Sequence, residues 1–232
     1  MNKILLLLVC FIFSSNSQAL KPYEANYALN VTSDIGSLKV GSADFKLELR
    51  DNNEFTFSSQ SYTDSVWKKL YNYNRYEKSI GLITNNAVNG MLYDVVEIEK
   101  DEVTKNNKIL INHSDGYAIL NNEHKWNTTS DYILDELNVY LALAEDLNMN
   151  EDQEDFSYQV IDEKGIQLIT FVFAGTETIN IENVSLESIK FLSPELKITI
   201  NVSKQYDFIP LIINRNSSGN KFKLVLNKYT PS

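Results

Sequence analysis

Between Tyr23 and Val31 every second residue is apolar: Tyr23, Ala25, Tyr27, Leu29 and Val31, with mostly polar residues between them. That period puts the apolar side chains on one face of an extended strand and leaves the other face to water. The alternation recurs down the chain. A second run carries Leu38 and Val40, then Ala43, Phe45, Leu47 and Leu49. Its apolar phase slips by one at Gly41-Ser42, as a β-bulge in a long bent strand requires. Phe55, Phe57, Ser59 and Ser61 continue the meander. Further runs cover Tyr71–Thr84, Val88–Glu99, Lys108–His113 and Tyr117–Trp126, then most of the chain from Phe156 to Tyr229. Their connections are short and rich in Asn, Asp and Gly, which tolerate the backbone of tight turns. The fold class this dictates is mostly β: a long curved antiparallel sheet or an open half-barrel meander.

One segment departs from the pattern. From Asp131 to Leu147, Ile133, Leu137, Tyr140, Leu141, Ala144 and Leu147 are apolar, which is helical spacing with one stripe. The spacing predicts one amphipathic helix over 131–147, N-capped by Ser130 and packed on the sheet through Leu137 and Leu141. Asp135, Glu136, Asn138, Glu145 and Asp146 are expected on its solvent side.

The first residues bound the location. Lys3 precedes an unbroken apolar run from Ile4 to Phe13, and Ser17 and Ala19 stand at the two positions a signal peptidase reads. This predicts a secretory signal peptide over 1–19, cleaved after Ala19. The apolar run is too short to span a bilayer, which takes about 20 residues. Residues 20–232 are then a single β-rich envelope domain without a transmembrane segment, periplasmic or, alternatively, secreted. Cys10, the sole cysteine, leaves with the leader, so the mature chain has no disulfide chemistry. The net charge is −10 and the leader's only charged residue is Lys3, so the mature chain is more acidic still. Such a chain repels nucleic acid, which is excluded as a partner.

No nucleophile elbow, zinc-protease helix, P-loop or dinucleotide fingerprint occurs, and the sequence implies no cofactor and no metal. The acidic "NEDQED", Asn150 to Asp155, lacks the glycine and ligand spacing of a calcium loop. The densest aromatic and basic stretch is "VWKKLYNYNRYEKS", Val66 to Ser79. Tyr71 and Tyr73 share one strand face, Tyr76 falls on the other, and Trp67 belongs to a helical turn leading in. Two readings compete here. Aromatics are natural strand residues that pack in cores, and they also line pockets. On the second reading Trp67, Tyr71, Tyr73 and Tyr76 are candidate binding residues for a lipid, another apolar small molecule or a segment of an envelope protein. The four basic side chains of the stretch are expected in solvent.

A carboxylate-dependent envelope hydrolase is the alternative. It needs two carboxyl groups facing each other across a cleft, which spacing alone does not supply. An outer-membrane barrel is a third reading. It needs a lipid-facing apolar band and usually a terminal aromatic, whereas this chain ends "NKYTPS".

Three pieces of punctuation resemble a known family. Tyr23-Glu24-Ala25-Asn26-Tyr27 opens the first strand, Gly36 to Ala43 starts the second, and Asp207-Phe208-Ile209-Pro210-Leu211 precedes the final hairpin. With a mid-chain helix and the run "AGTETINIENVSLESIKFL", they are similar to the bacterial envelope family called domain of unknown function 3108. The resemblance implies a periplasmic β-rich protein and carries over no catalytic residue. The resulting expectation is a periplasmic, non-enzymatic binding or accessory protein of the bacterial envelope.

Overall fold

The computed structural model describes residues 20–33, 36–69, 71–128, 132–181, 184–217 and 220–232. The expected leader, Leu70, and the expected cap at Ser130 and Asp131 lie outside the described residues. Alternation becomes strand almost throughout. The first arm holds β1 (Tyr23–Ser33), β2 (Gly36–Leu49), β3 (Glu54–Thr63), the helical turn α1 (Ser65–Lys68), β4 (Tyr73–Thr84), β5 (Ala87–Glu99), β6 (Glu102–Asn112), β7 (Tyr117–Leu120) and β8 (His124–Asn127). After β9 (Leu134–Asp135) and helix α2 (Val139–Met149) come β10 (Asp155–Asp162), β11 (Gly165–Ile181) and β12 (Val184–Ser193). The chain ends with β13 (Ile198–Val202), β14 (Pro210–Ser217) and β15 (Asn220–Pro231).

All of these strands belong to one open sheet, ordered β8 to β1 and then β15 down to β9. Every pairing is antiparallel except the short β9–β10 ladder. β1 and β15, the first and last strands, are neighbours in its middle. The phase slip at Gly41-Ser42 is a bulge: Leu29 pairs with Gly41 and Asn30 with Lys39, leaving Val40 over. Aromatic residues fill the concave side. Tyr27 and Phe45 rings lie 4.9 Å apart, and Phe45 meets Phe57 edge-on at 5.8 Å. The convex side of β1 and β2 is polar, with Glu24, Asp44, Lys46 and Glu48 exposed. That is the reverse of a lipid-embedded barrel, whose apolar band points outward.

The sheet curls until its arms meet around α2. The Gly90 amide in β5 donates to the Ile133 carbonyl at 3.1 Å, and Lys105 in β6 pairs with Glu163, beyond β10, at 2.8 Å. Gly90 is required at this crossing, since a Cβ would lie 2.9 Å from Asn138 Nδ2 and 3.1 Å from the Ile133 carbonyl.

The mid-chain helix is shorter and more enclosed than the spacing predicts. It starts at Val139, while Leu134–Asp135 is a strand, so the expected helical turn before residue 139 is not helical. Leu137 and Leu141 are buried as expected. The solvent side, however, does not exist for most of the residues assigned to it. Asp135 and Asn138 are fully buried and Glu145 is 2% exposed. The physical reason is the curl: a helix laid on a flat sheet keeps a wet face, but one wrapped by a curved sheet is covered on nearly every side. Asp135 organises the turn that leads into α2. Its Oδ1 accepts the amides of Leu137 and Asn138 at 2.9 and 2.8 Å, and Asn138 Oδ1 accepts the Asp135 amide in return at 2.8 Å.

Candidate functional site: a half-filled cup

The inward-facing rows of the central strands change character along their length. In β1, Tyr23, Ala25 and Tyr27 are buried, whereas Leu29 and Val31 are only half-buried. In β2 the sequence runs from buried Leu47, Phe45 and Ala43 to half-buried Val40 and exposed Leu38. β15 repeats it, from buried Leu226 to half-buried Leu224 and Phe222. α2 fills the buried end of the cup and stops short of the other. What remains is a cavity of about 660 Å³, within the usual size of small-molecule sites.

Its walls are of two kinds. Leu29, Val40, Leu196, Ile198, Phe222 and Leu224 make an apolar wall, and Leu137 with Tyr140 forms a floor at the start of α2. Opposite stand Ser59, Ser61 and Thr63 of β3, Tyr73, Arg75 and Glu77 of β4, and Glu97 and Glu99 of β5. Strand parity explains this second wall, because Tyr73, Arg75, Glu77 and Ser79 all share one face of β4.

Arg75 organises the polar wall. Its guanidinium pairs with Glu77 and Glu97, each at 2.9 Å, and lies 3.8 Å from Glu136. The Tyr93 hydroxyl donates to Glu77 at 2.6 Å, Ser59 Oγ to its other oxygen at 3.0 Å, and the Tyr73 hydroxyl to Glu97 at 3.2 Å. Burial alone would raise the Glu77 carboxyl, but the Arg75 charge and these hydrogen bonds outweigh it and hold it below the ordinary range. For Arg75 itself burial pulls downward, and the flanking carboxylates win and raise its pKa further. The cluster is thus a wall of fixed charges in which one guanidinium serves several carboxylates. Behind it, Asp135 Oδ2 accepts the Ser79 hydroxyl at 2.6 Å. Burial pushes this carboxyl up to about 7, against the hydrogen bonds that favour its charge.

Three of the four aromatics singled out in the sequence line this cavity: Trp67, Tyr71 and Tyr73. The Tyr71 and Tyr73 rings stack at 6.4 Å and 11°, and Tyr71 is pushed up to about 12 by burial and by its bond to Glu99. Tyr76 lies on the opposite face of β4, 43% exposed and outside the cavity. Of the four basic side chains expected in solvent, Lys68, Lys69 and Lys78 are exposed, but Arg75 is not. Its side chain is 16% exposed because it is clamped between carboxylates. Sequence reasoning missed the Arg75–Glu77 pair and Glu97, although the i, i+2 spacing of Tyr73, Arg75 and Glu77 on one strand was a usable signal. Glu136 carried none, being read as a solvent-facing helix position.

Among the described residues no helix is long and apolar enough to cross a membrane. No family model matches the chain, so membership of the domain of unknown function 3108 is not confirmed. No curated protein matches it either. Among solved structures the chain is similar to a "beta-barrel-like protein of domain of unknown function DUF1849" from Brucella abortus. The TM-score is 0.58 at 10% identity, over 92% of this chain and 98% of that one. At that identity the likeness establishes a shared β-barrel-like fold alone.

Proposed function

We propose that this is an exported, non-enzymatic binding or accessory protein of the bacterial envelope, whose cup holds the apolar part of a lipid-like ligand or of a partner's segment. The observation that carries the reading is the unfilled half of the cup: a cavity of about 660 Å³ with an apolar wall, left where a core would otherwise continue. Apolar surface lining a roomy, open-mouthed cavity gains by meeting an apolar ligand. The rings of Trp67, Tyr71 and Tyr73 add area, and the tyrosine hydroxyls stay hydrogen-bonded at the rim. The secretory leader and the acidic composition support an envelope location, the periplasm first. The hydrolase reading draws less support, because it wants two carboxyl groups free to face a substrate across a cleft. Glu77 and Glu97 share one guanidinium, and Asp135 is fully buried behind them.

Titration with an environment-sensitive acyl probe tests the proposal. Wild type should take up probe, and Ser61→Trp, which fills the cavity from β3, should abolish uptake while its thermal melt stays cooperative. No uptake by wild type, or equal uptake by Ser61→Trp, overturns the reading.

A further inference from the structure

At the filled end of the cup the described chain enters through Leu20, whose side chain is only 4% exposed although it precedes the first strand. Lys21 pairs with Asp207 at 3.1 Å, and the Ser232 amide donates to the Pro22 carbonyl at 3.0 Å, so the entry is tied on both sides. The Leu20 amide adjoins the carboxylate of Glu145 on α2 and favours its charged form. Glu145 is 2% exposed, and its Oε2 has no hydrogen-bond partner. Its sequence neighbour Asp146 is another carboxylate, engaged by the Tyr158 hydroxyl at 2.7 Å. No cation among the described residues pairs with Glu145. A buried carboxylate facing one neutral amide is an unfinished site, since burying an unpaired charge is costly.

Leu20 is also the residue that the Ser17-Gln18-Ala19 pattern makes the first of the processed chain. The leader's composition and the burial of Glu145 are independent observations, and they meet at one nitrogen. We propose that cleavage between Ala19 and Leu20 builds a buried ion pair between the new α-ammonium of Leu20 and Glu145, so that processing completes the fold. In the step, catalysed by a signal peptidase, water adds across the peptide bond and the C–N bond breaks. Ala19 leaves as a carboxylate, and the Leu20 nitrogen takes up a proton to become an ammonium with three donors. One donor keeps the place of the amide, and the charge neutralises the carboxylate whose Oε2 is unpartnered. The pair ties the N-terminus to the helix that fills the cup.

The test compares a chain beginning at Leu20 with one carrying a single glycine ahead of Leu20, each with Glu145 and with Glu145→Gln. The Leu20 chain should melt several degrees higher than the glycine-extended one. Glu145→Gln should lower the melting temperature of the Leu20 chain and leave that of the extended chain unchanged or raised. A second readout is acylation of the α-amino group near neutral pH. It should be slowed roughly tenfold or more relative to a free peptide in the Leu20 chain, and restored by Glu145→Gln. Equal shifts in both chains, an amine that labels at the free-peptide rate, or exported protein that begins elsewhere than Leu20 overturns the proposal.

Discussion

The two ends of the cup are built from the same strands and obey different rules. At the filled end, inward-facing Phe55, Phe57 and Tyr23 are buried in one core with the apolar residues of α2. At the open end the same strands present Ser61, Thr63, Val31 and Leu38 to a cavity. Packing thus loosens along each strand while the hydrogen-bond ladders run on past their bulges. Stability and binding are therefore expected to separate by position along a strand, not by strand. A core position should cost folding energy and leave ligand affinity alone, and a rim position should do the opposite.

The sharpest test is Phe57→Ala, which removes a fully buried ring that touches Tyr23 and Phe45. A loss of about 3 to 5 kcal/mol in denaturant unfolding is expected. A loss below 1 kcal/mol would erase the distinction between the two ends. Leu141→Ala in α2 should cost about 2 to 5 kcal/mol by the same measurement.

Next in size is Arg75→Met. Removing the guanidinium strands Glu77 and Glu97 near each other in a half-buried wall, a loss on the order of 3 kcal/mol. Arg75→Met combined with Glu77→Gln and Glu97→Gln should recover most of it. Failure of the triple variant to recover would show that Arg75 acts through packing, not charge.

Asp135 supplies a pH test at the boundary between the ends. Its folded pKa of about 7 stands above the ordinary 3.8, so the folded state holds the proton more tightly. The stability this contributes is fully present below about pH 4 and is lost as pH rises through 7. An asparagine side chain at this position can keep both amide bonds through its oxygen and donate to Ser79 through its nitrogen. Asp135→Asn should therefore flatten the fall in stability across that window and exceed wild type at pH 8. Parallel stability curves for the two proteins would refute the assignment.

The smallest stability effects belong to the rim. Trp67→Ala should change unfolding by less than about 1 kcal/mol yet weaken acyl-probe binding several-fold. Tyr76→Ala, on the far face, should alter neither.

How much of this could be read in the sequence follows from what periodicity encodes. Period two identifies strands and their faces, so the bulge at Gly41-Ser42 and the shared face of Tyr71 and Tyr73 were legible. Curvature is not encoded by it. Whether Asp135 and Glu145 face water depends on how far two arms of the sheet curl, a sum of small twists over many strands. For the same reason the sequence named aromatic candidates for a cavity wall without showing that a cavity exists, and left the charged wall unread. A local pattern shows that Arg75 and Glu77 share a face, while only the closure of β5 beside β4 brings Glu97 to the same guanidinium.

The central seam of the sheet, where β1 pairs with β15, has a consequence for the order of events in the cell. Synthesis delivers the N-terminus first, so β1 must wait for β15 before its second neighbour exists. Until then the sheet has an open edge in what will be its middle, made of a strand whose alternation suits it to pair with any other. Closing that seam spans nearly the whole chain, and such long-range pairing is slow. Until β15 arrives, β1 is therefore the strand of this topology most open to pairing in the wrong register or with another chain.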